Sequence, residues 1–192
     1  LHKDAEVYIA DFKGGVDYPK VWHEKCRMCF TEEDLLYTLN QLVAVLEYRK
    51  KALKELGSPN IDAYNETTEN KLPRLIFACD EVAELLDRTG RGKEDKERLA
   101  QIENKLATLA RLGRAFGIHL ILATQRPDAT IIPGQIRNNM DFRVCGRADN
   151  VLSQIILDNT SAAEQIPKDA RGRFITGDGT VFQGYLFDEG QL

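Results

Sequence analysis

Short unbroken apolar runs alternate along this chain with longer stretches in which apolar residues recur every three or four positions. The first run, Val7-Tyr8-Ile9-Ala10-Asp11-Phe12, reads as a strand stopped by Gly14 and Gly15. A polar, irregular stretch follows to about residue 30. Thr31-Glu32-Glu33-Asp34 then opens a helix in the manner of a capping box. Leu35, Leu39, Leu42, Val43, Leu46, Leu53 and Leu56 keep helical spacing, and Gly57 supplies a stop. Residues 58–71, rich in Asn, Glu and Thr, read as a surface loop.

Leu75-Ile76-Phe77-Ala78-Cys79 is the continuous run expected of a parallel strand buried on both faces. Asp80-Glu81 ends it, and a short helix over 82–87 and an exposed loop over 88–93 follow. A second long helix is predicted over about 96–116, with Leu99, Ile102, Leu106, Leu109 and Leu112 as its stripe and Gly117 as its stop. Residues 118–125 and 142–146 read as two further strands and 151–157 as a short helix. Two last strands, 173–176 and 181–187, flank Gly177-Asp178-Gly179.

Strands alternating with helices define an α/β class with a mainly parallel sheet. Function in such sheets gathers at the carboxyl ends of the strands, which here carry Asp11, Asp80-Glu81 and Thr124-Gln125. The 192 residues are read as a single domain, 1–192, long enough for a core without metal or disulfide staples. A start at Leu1-His2-Lys3-Asp4 fits a piece of something larger. A net charge of −4 excludes a histone-like polycation but not a local basic patch on a nucleic-acid binder. No apolar run is long enough to span a membrane. Of the four cysteines, two lie in strand-like runs, which suits buried, reduced thiols in a cytosolic setting.

An apolar strand closed by two acids is the Walker B pattern. In that pattern Asp80 holds Mg²⁺ through water and Glu81 polarises the water that attacks the γ-phosphate of ATP. A strand ending in two solvated carboxylates would read the same way. The second buried strand, one long helix later, separates the two readings. Its end, Thr124-Gln125, offers polar groups that can reach both the γ-phosphate and the attacking water.

The run Gly117-Ile118-His119-Leu120-Ile121-Leu122-Ala123-Thr124-Gln125-Arg126-Pro127 resembles the sensor segment of the FtsK/SpoIIIE family of ring-forming, ATP-driven DNA translocases. Asp11-Phe12-Lys13-Gly14-Gly15 resembles that family's Asp-Pro-Lys strand end. Tyr64-Asn65, Ile155-Ile156-Leu157-Asp158 and Ala163-Glu164-Gln165 resemble further signatures in the same order. Residues 134–139 and 144–149 are most similar to FtsK-like proteins of Gram-positive conjugative elements, with type VII secretion ATPases next.

The resemblance implies a RecA-like P-loop NTPase core that uses ATP and Mg²⁺. It also implies a homo-oligomeric ring, a hexamer by family habit, and double-stranded DNA as cargo. A cytoplasmic motor anchored to the bacterial membrane elsewhere in the parent completes the picture. Arg143 matches a family arginine that reaches into the next subunit's ATP; a salt-bridged surface arginine is the alternative. Arg88, Arg91 and Lys93 form one candidate DNA-contacting cluster, and Lys168, Arg171 and Arg173 another, with solvated loop charges as the alternative for each. Gln154 stands where many relatives carry an arginine.

The family's phosphate-binding loop, Gly-x-x-x-x-Gly-Lys-Ser/Thr, is absent, since the one Gly-Lys pair, Gly92-Lys93, is followed by Glu94. This stretch alone is therefore expected to bind ATP poorly and not to hydrolyse it. Without a P-loop strand beside it, the sensor strand is expected to pair with a neighbouring molecule or to be covered by a displaced segment. Two other cargos or roles remain open: protein moved by a type VII secretion-like ATPase, and a degenerate assembly module that hydrolyses nothing. His23, Cys26 and Cys29 have partial zinc spacing but no evident fourth ligand.

Overall fold

The structure is a computed structural model and describes residues 5–13, 18, 20–125 and 132–186. It divides into two compact units, Leu1–Thr124 and Gln125–Leu192, a division that the reading of 1–192 as a single domain does not draw.

The first unit runs β1 (Ala5–Ala10), α1 (Lys20–Lys25), β2 (Arg27–Cys29), α2 (Glu32–Glu55), α3 (Ile61–Thr67), β3 (Arg74–Cys79), α4 (Val82–Leu86), α5 (Lys93–Leu112) and β4 (Ile118–Leu122). A 3₁₀ turn, Gly113–Phe116, joins α5 to β4. The four strands form one parallel sheet in the order β2-β1-β3-β4.

Register decides which side chains share a face. Ala10 lies opposite Cys29 on one side and Cys79 on the other, and Cys79 lies opposite Leu122. This face, with Tyr8, Leu75 and Phe77, is buried, and α2 covers it: the Thr38 hydroxyl on α2 meets Cys29 Sγ at 3.2 Å. Ile76, Ala78 and His119 on the opposite face are only half-buried, and Ile121 is 56% exposed. The expectation of a strand buried on both faces is thus corrected. The tight alternation along β3 comes from helices packed against one side of the sheet.

Helix α2 begins where the sequence places it. Thr31 is in extended conformation and its Oγ1 accepts from the Asp34 N–H at 3.1 Å. Leu35, Leu39, Leu42, Leu46 and Leu53 are buried in a stripe that meets Leu99, Ile102, Leu106 and Leu109 of α5. Leu56 departs from that stripe: it is the C-terminal cap and lies 56% exposed, ahead of Gly57 at φ +63°. Helix α5 starts at Lys93, so the predicted loop ends there rather than running on towards residue 96.

Two predicted loops hold regular structure. The stretch before residue 30 contains α1 and β2, and residues 58–71 contain α3, capped by the Asn60 side chain on the Ala63 N–H. Ile61 and Tyr64, one turn apart, are its buried residues. Arg49, only 2% exposed on α2, donates to the carbonyls of Phe116 (2.7 Å) and Pro73 (2.6 Å), fixing the starts of β4 and β3.

The second unit contains α6 (Gly134–Arg137), β5 (Val144–Cys145), α7 (Asn150–Leu157), α8 (Ser161–Gln165), β6 (Arg173–Thr176) and β7 (Val181–Gln183). Its strands form a separate antiparallel sheet, β5-β6-β7, over a small core of Cys145, Leu157, Ala162, Ile166 and Ile175. Gly14, Gly15, Arg126, Pro127 and Phe187, which the sequence reading uses, lie outside the described residues, as does His2.

Within the described residues of the first unit, β4 pairs on one side only, with β3. Ile121 remains exposed on it, and among the described residues of this unit no displaced segment pairs with its free edge, where the sequence leads one to expect cover.

Candidate active site

The ladder of β1, β3 and β4 delivers three strand ends to one place. The Asp80 N–H reaches the Ala10 carbonyl at 3.4 Å, the Ala123 N–H reaches Cys79 (2.9 Å), and the Val82 N–H reaches Ala123 (3.0 Å). These bonds hold the residues just past each strand in register. Asp11, Asp80-Glu81 and Thr124 thereby meet at the carboxyl edge of the sheet, as the sequence predicts.

A cleft of about 230 Å³ opens there, lined by Asp11, Phe12, Lys13, Glu32, Asp80, Glu81, Glu84, Leu85 and Arg91. The Thr124 hydroxyl lies 3.4 Å from Glu81 Oε2 as donor. Lys13 Nζ lies 3.4 Å from Asp80 Oδ2 and 4.0 Å from Glu81 Oε1. The Glu81 side chain is only 13% exposed and that of Asp80 29%.

Glu81 carries a left-handed backbone, φ 51° and ψ 46°. A β-carbon makes that conformation cost roughly 1–2 kcal/mol. No side-chain capping bond at the start of α4 offsets it. The turn throws the carboxylate back towards β4 instead of along α4, and strain of this kind concentrates at functional positions.

Asp11 is 2% exposed. One carboxylate oxygen, Oδ1, accepts the Lys13 N–H at 2.9 Å, which bends the chain so that Lys13 turns into the cleft. The other, Oδ2, is buried with no hydrogen-bond partner. Among the described residues no three His, Cys, Asp or Glu side chains converge into a ready-made metal cage. An all-oxygen donor set with one half-open carboxylate and one unpartnered buried oxygen suits Mg²⁺. That ion takes one or two carboxylates and keeps much of its water. Asp80, whose side chain is 29% exposed and lines the cleft, could hold such an ion.

The remaining predicted residues are placed as follows. Gln125 follows Thr124 directly and is exposed. Arg143, in the second unit, is built into its own fold. It donates to the carbonyls of Met140 (3.0 Å), Arg137 (3.0 Å) and Ile156 (3.3 Å) and pairs with Asp158 at 2.7 Å. Arg88 pairs with Glu103, Arg91 with Glu32 at 2.9 Å, and Lys93, largely exposed, lies 3.9 Å from Glu97. Glu32 also meets Arg98 at 3.2 Å, so Arg91 stands in the wall of the cleft. Lys168 and Arg171 border a second cleft, of about 490 Å³, together with Arg147 and Arg173.

Among the described residues the thiols join no group of three His, Cys, Asp or Glu side chains that could hold a metal ion. His23 meets the Tyr18 carbonyl and packs edge-on to Phe30, while Cys29 is engaged by Thr38. Burial, together with the charges of Asp80, Cys29 and Glu81, pushes the Cys79 thiol up to about 12, so it stays protonated beside the site.

Lys13 is the site residue that sequence reasoning left without a role. Its signals were its place two residues after a strand-end aspartate and the likeness of Asp11-Phe12-Lys13 to the family's Asp-Pro-Lys strand end.

The family model described as FtsK/SpoIIIE matches residues 8–129, and the chain belongs to the FtsK/SpoIIIE family. It is 33% identical over 159 residues to the DNA translocase FtsK of Chlamydia pneumoniae, covering 76% of this chain and 19% of that protein. The DNA translocase FtsK of Chlorobaculum tepidum is 37% identical over 130 residues, covering 67% of this chain and 15% of the other. The chain thus spans a fifth or less of these relatives.

Among solved structures, the pCW3 conjugation coupling protein TcpA, a monomer form with ATPγS, superposes with a TM-score of 0.91 at 39% identity. That match covers 97% of this chain and 54% of TcpA. ATPases 2 and 3 of Thermomonospora curvata EccC, in complex with a signal sequence peptide, give 0.69 at 23% identity over 96% of this chain and 32% of theirs. At that identity the likeness speaks to fold alone. The fold is that of the FtsK, TcpA and EccC ATPases: α/β, with a parallel sheet flanked by helices.

Proposed function

We propose that this chain is the Walker B and sensor portion of an ATP-driven translocase that moves double-stranded DNA, in conjugative transfer or chromosome partitioning. The observation that carries the reading is the meeting of Asp80, Glu81 and Thr124 at adjacent strand ends. Membership of a family whose relatives include FtsK translocases and a conjugation coupling protein supports DNA as the cargo.

In this reading Asp80 holds Mg²⁺ through water, and the ion would neutralise charge on the β- and γ-phosphates. Glu81 takes a proton from the attacking water as general base, with the Thr124 hydroxyl fixing its carboxylate. Gln125 orients the same water from the neighbouring strand end. Arg143 would act on the next subunit's ATP in a ring of six, and to do so it has to give up its pair with Asp158. Lys168 and Arg171 contact the DNA backbone, as do Arg88 and Lys93. Arg91 shares that assignment, with its bond to Glu32 to be exchanged.

The phosphate-binding loop comes from outside these residues, so the stretch alone is inactive. The parent carries the motor on the cytoplasmic side of the membrane that anchors it. Among the described residues no helix is long and apolar enough to cross one.

The test is ATP hydrolysis by the parent protein with and without duplex DNA, beside Glu81→Gln. Turnover stimulated by DNA and reduced at least 100-fold by Glu81→Gln is expected, on the order of losing a general base. Turnover indifferent to DNA but raised by a secretion-signal peptide would move the cargo to protein. No turnover would leave an assembly module.

A further inference from the structure

The acid pair already has a cation beside it. Lys13 places its ammonium within 4 Å of both carboxylates, 3.4 Å from Asp80 and 4.0 Å from Glu81. It is carried there by Asp11, whose Oδ1 accepts the Lys13 N–H, and Asp11 is anchored by donating its own N–H to Cys29 at 3.0 Å. Asp11 is buried at the end of β1, while the Lys13 side chain is 38% exposed.

We propose that Lys13 is a positioning residue of the hydrolytic cleft: a resident counter-ion that holds Asp80 and Glu81 and competes with the divalent cation for Asp80. Two carboxylates from consecutive residues in a half-closed cleft repel each other, and a nearby positive charge removes that cost. A divalent ion at Asp80 supplies the same compensation and repels the ammonium at short range. The two cations therefore exclude each other at this carboxylate. When the lysine leaves, Glu81 loses a contact that draws electron density from the base. Thr124, which already meets the other carboxylate oxygen of Glu81 at 3.4 Å, then remains as its hydrogen-bond partner.

This inference rests on the reading of Asp80 as the cation-holding carboxylate, but its test needs neither hydrolysis nor DNA. Mn²⁺ binding to this 192-residue chain is measured by the loss of the free-ion EPR signal. The chain itself is compared with Lys13→Met, Lys13→Gln, Lys13→Arg and Asp80→Asn, and thermal unfolding checks that each variant is folded.

Removing the charge in Lys13→Met or Lys13→Gln should tighten Mn²⁺ binding by about threefold to tenfold, the scale of one partly exposed charge contact. Lys13→Arg should bind like the parent chain, and Asp80→Asn combined with Lys13→Met should lose the gain. A purely structural lysine would not tighten cation binding when removed. Unchanged or weaker binding in both neutral variants overturns the proposal. So does undetectable binding in all variants, because removing the competitor has to uncover the site. A Mn²⁺ shift in a parent without DNA-dependent turnover would sink the motor reading and keep this one; turnover without a shift would do the reverse.

Discussion

Glu81 joins two properties that pull against each other. Its backbone is left-handed at φ 51°, and its side chain is directed by that turn to within 3.4 Å of Thr124. Glutamate gains nothing in stability from such a conformation, whereas glycine occupies it freely. Glu81→Gly should therefore leave the chain as stable as before or raise it by about 1 kcal/mol in urea unfolding. In the parent the same change should remove hydrolysis. A loss of 2 kcal/mol or more would mean that the carboxylate is structural and the strain is not a functional expense.

At the scale of the element, strand starts are held from below and strand ends carry the candidate site. Gly117 ends the 3₁₀ turn at φ +70°, and a β-carbon there would come within 2.4 Å of Ile61 Cδ1 and 3.2 Å of Arg49 Nη1. Gly117→Ala adds a left-handed alanine to an overpacked contact. It should cost about 2–4 kcal/mol by chemical denaturation. Ile61→Ala in the same chain should recover part of that loss by making room, and purely additive losses would contradict the close contact.

The elements that could be read from sequence were those with a long repeat or a strong stop. Thr31 and Gly57 bracket α2, and its leucine stripe is unmistakable. Helix α3 was hidden because a seven-residue helix buries only Ile61 and Tyr64, too few to establish a period, although Asn60 was a usable cap signal. Strand β2 is three residues long, Arg27-Met28-Cys29, and its pairing with β1 comes from the sheet rather than from any local preference. In the site, Asp80, Glu81 and Thr124 were legible because each ends an apolar run. The contact of Lys13 with Asp80 was not, because the two are 67 residues apart and only the β1–β3 register brings them together. Arg143 shows the opposite limit. The family resemblance implies a reach to another subunit, with a salt-bridged arginine as the alternative, and the structure pairs it with Asp158 and three carbonyls of its own unit.

On the scale of the whole molecule, the first unit carries the acid pair, its lysine and Thr124, and the second carries Arg143 and the basic cleft of Arg147, Lys168, Arg171 and Arg173. A motor needs both kinds of part, one to hydrolyse and one to grip phosphates, and moving duplex DNA is the claim that joins them. The most direct measurement is displacement of a third strand from a triplex by the parent protein moving along the flanking duplex. ATP-dependent displacement, lost in Glu81→Gln and slowed by Lys168→Ala with Arg171→Ala, is the expected result. ATP hydrolysis at full rate with the triplex left intact would contradict DNA translocation.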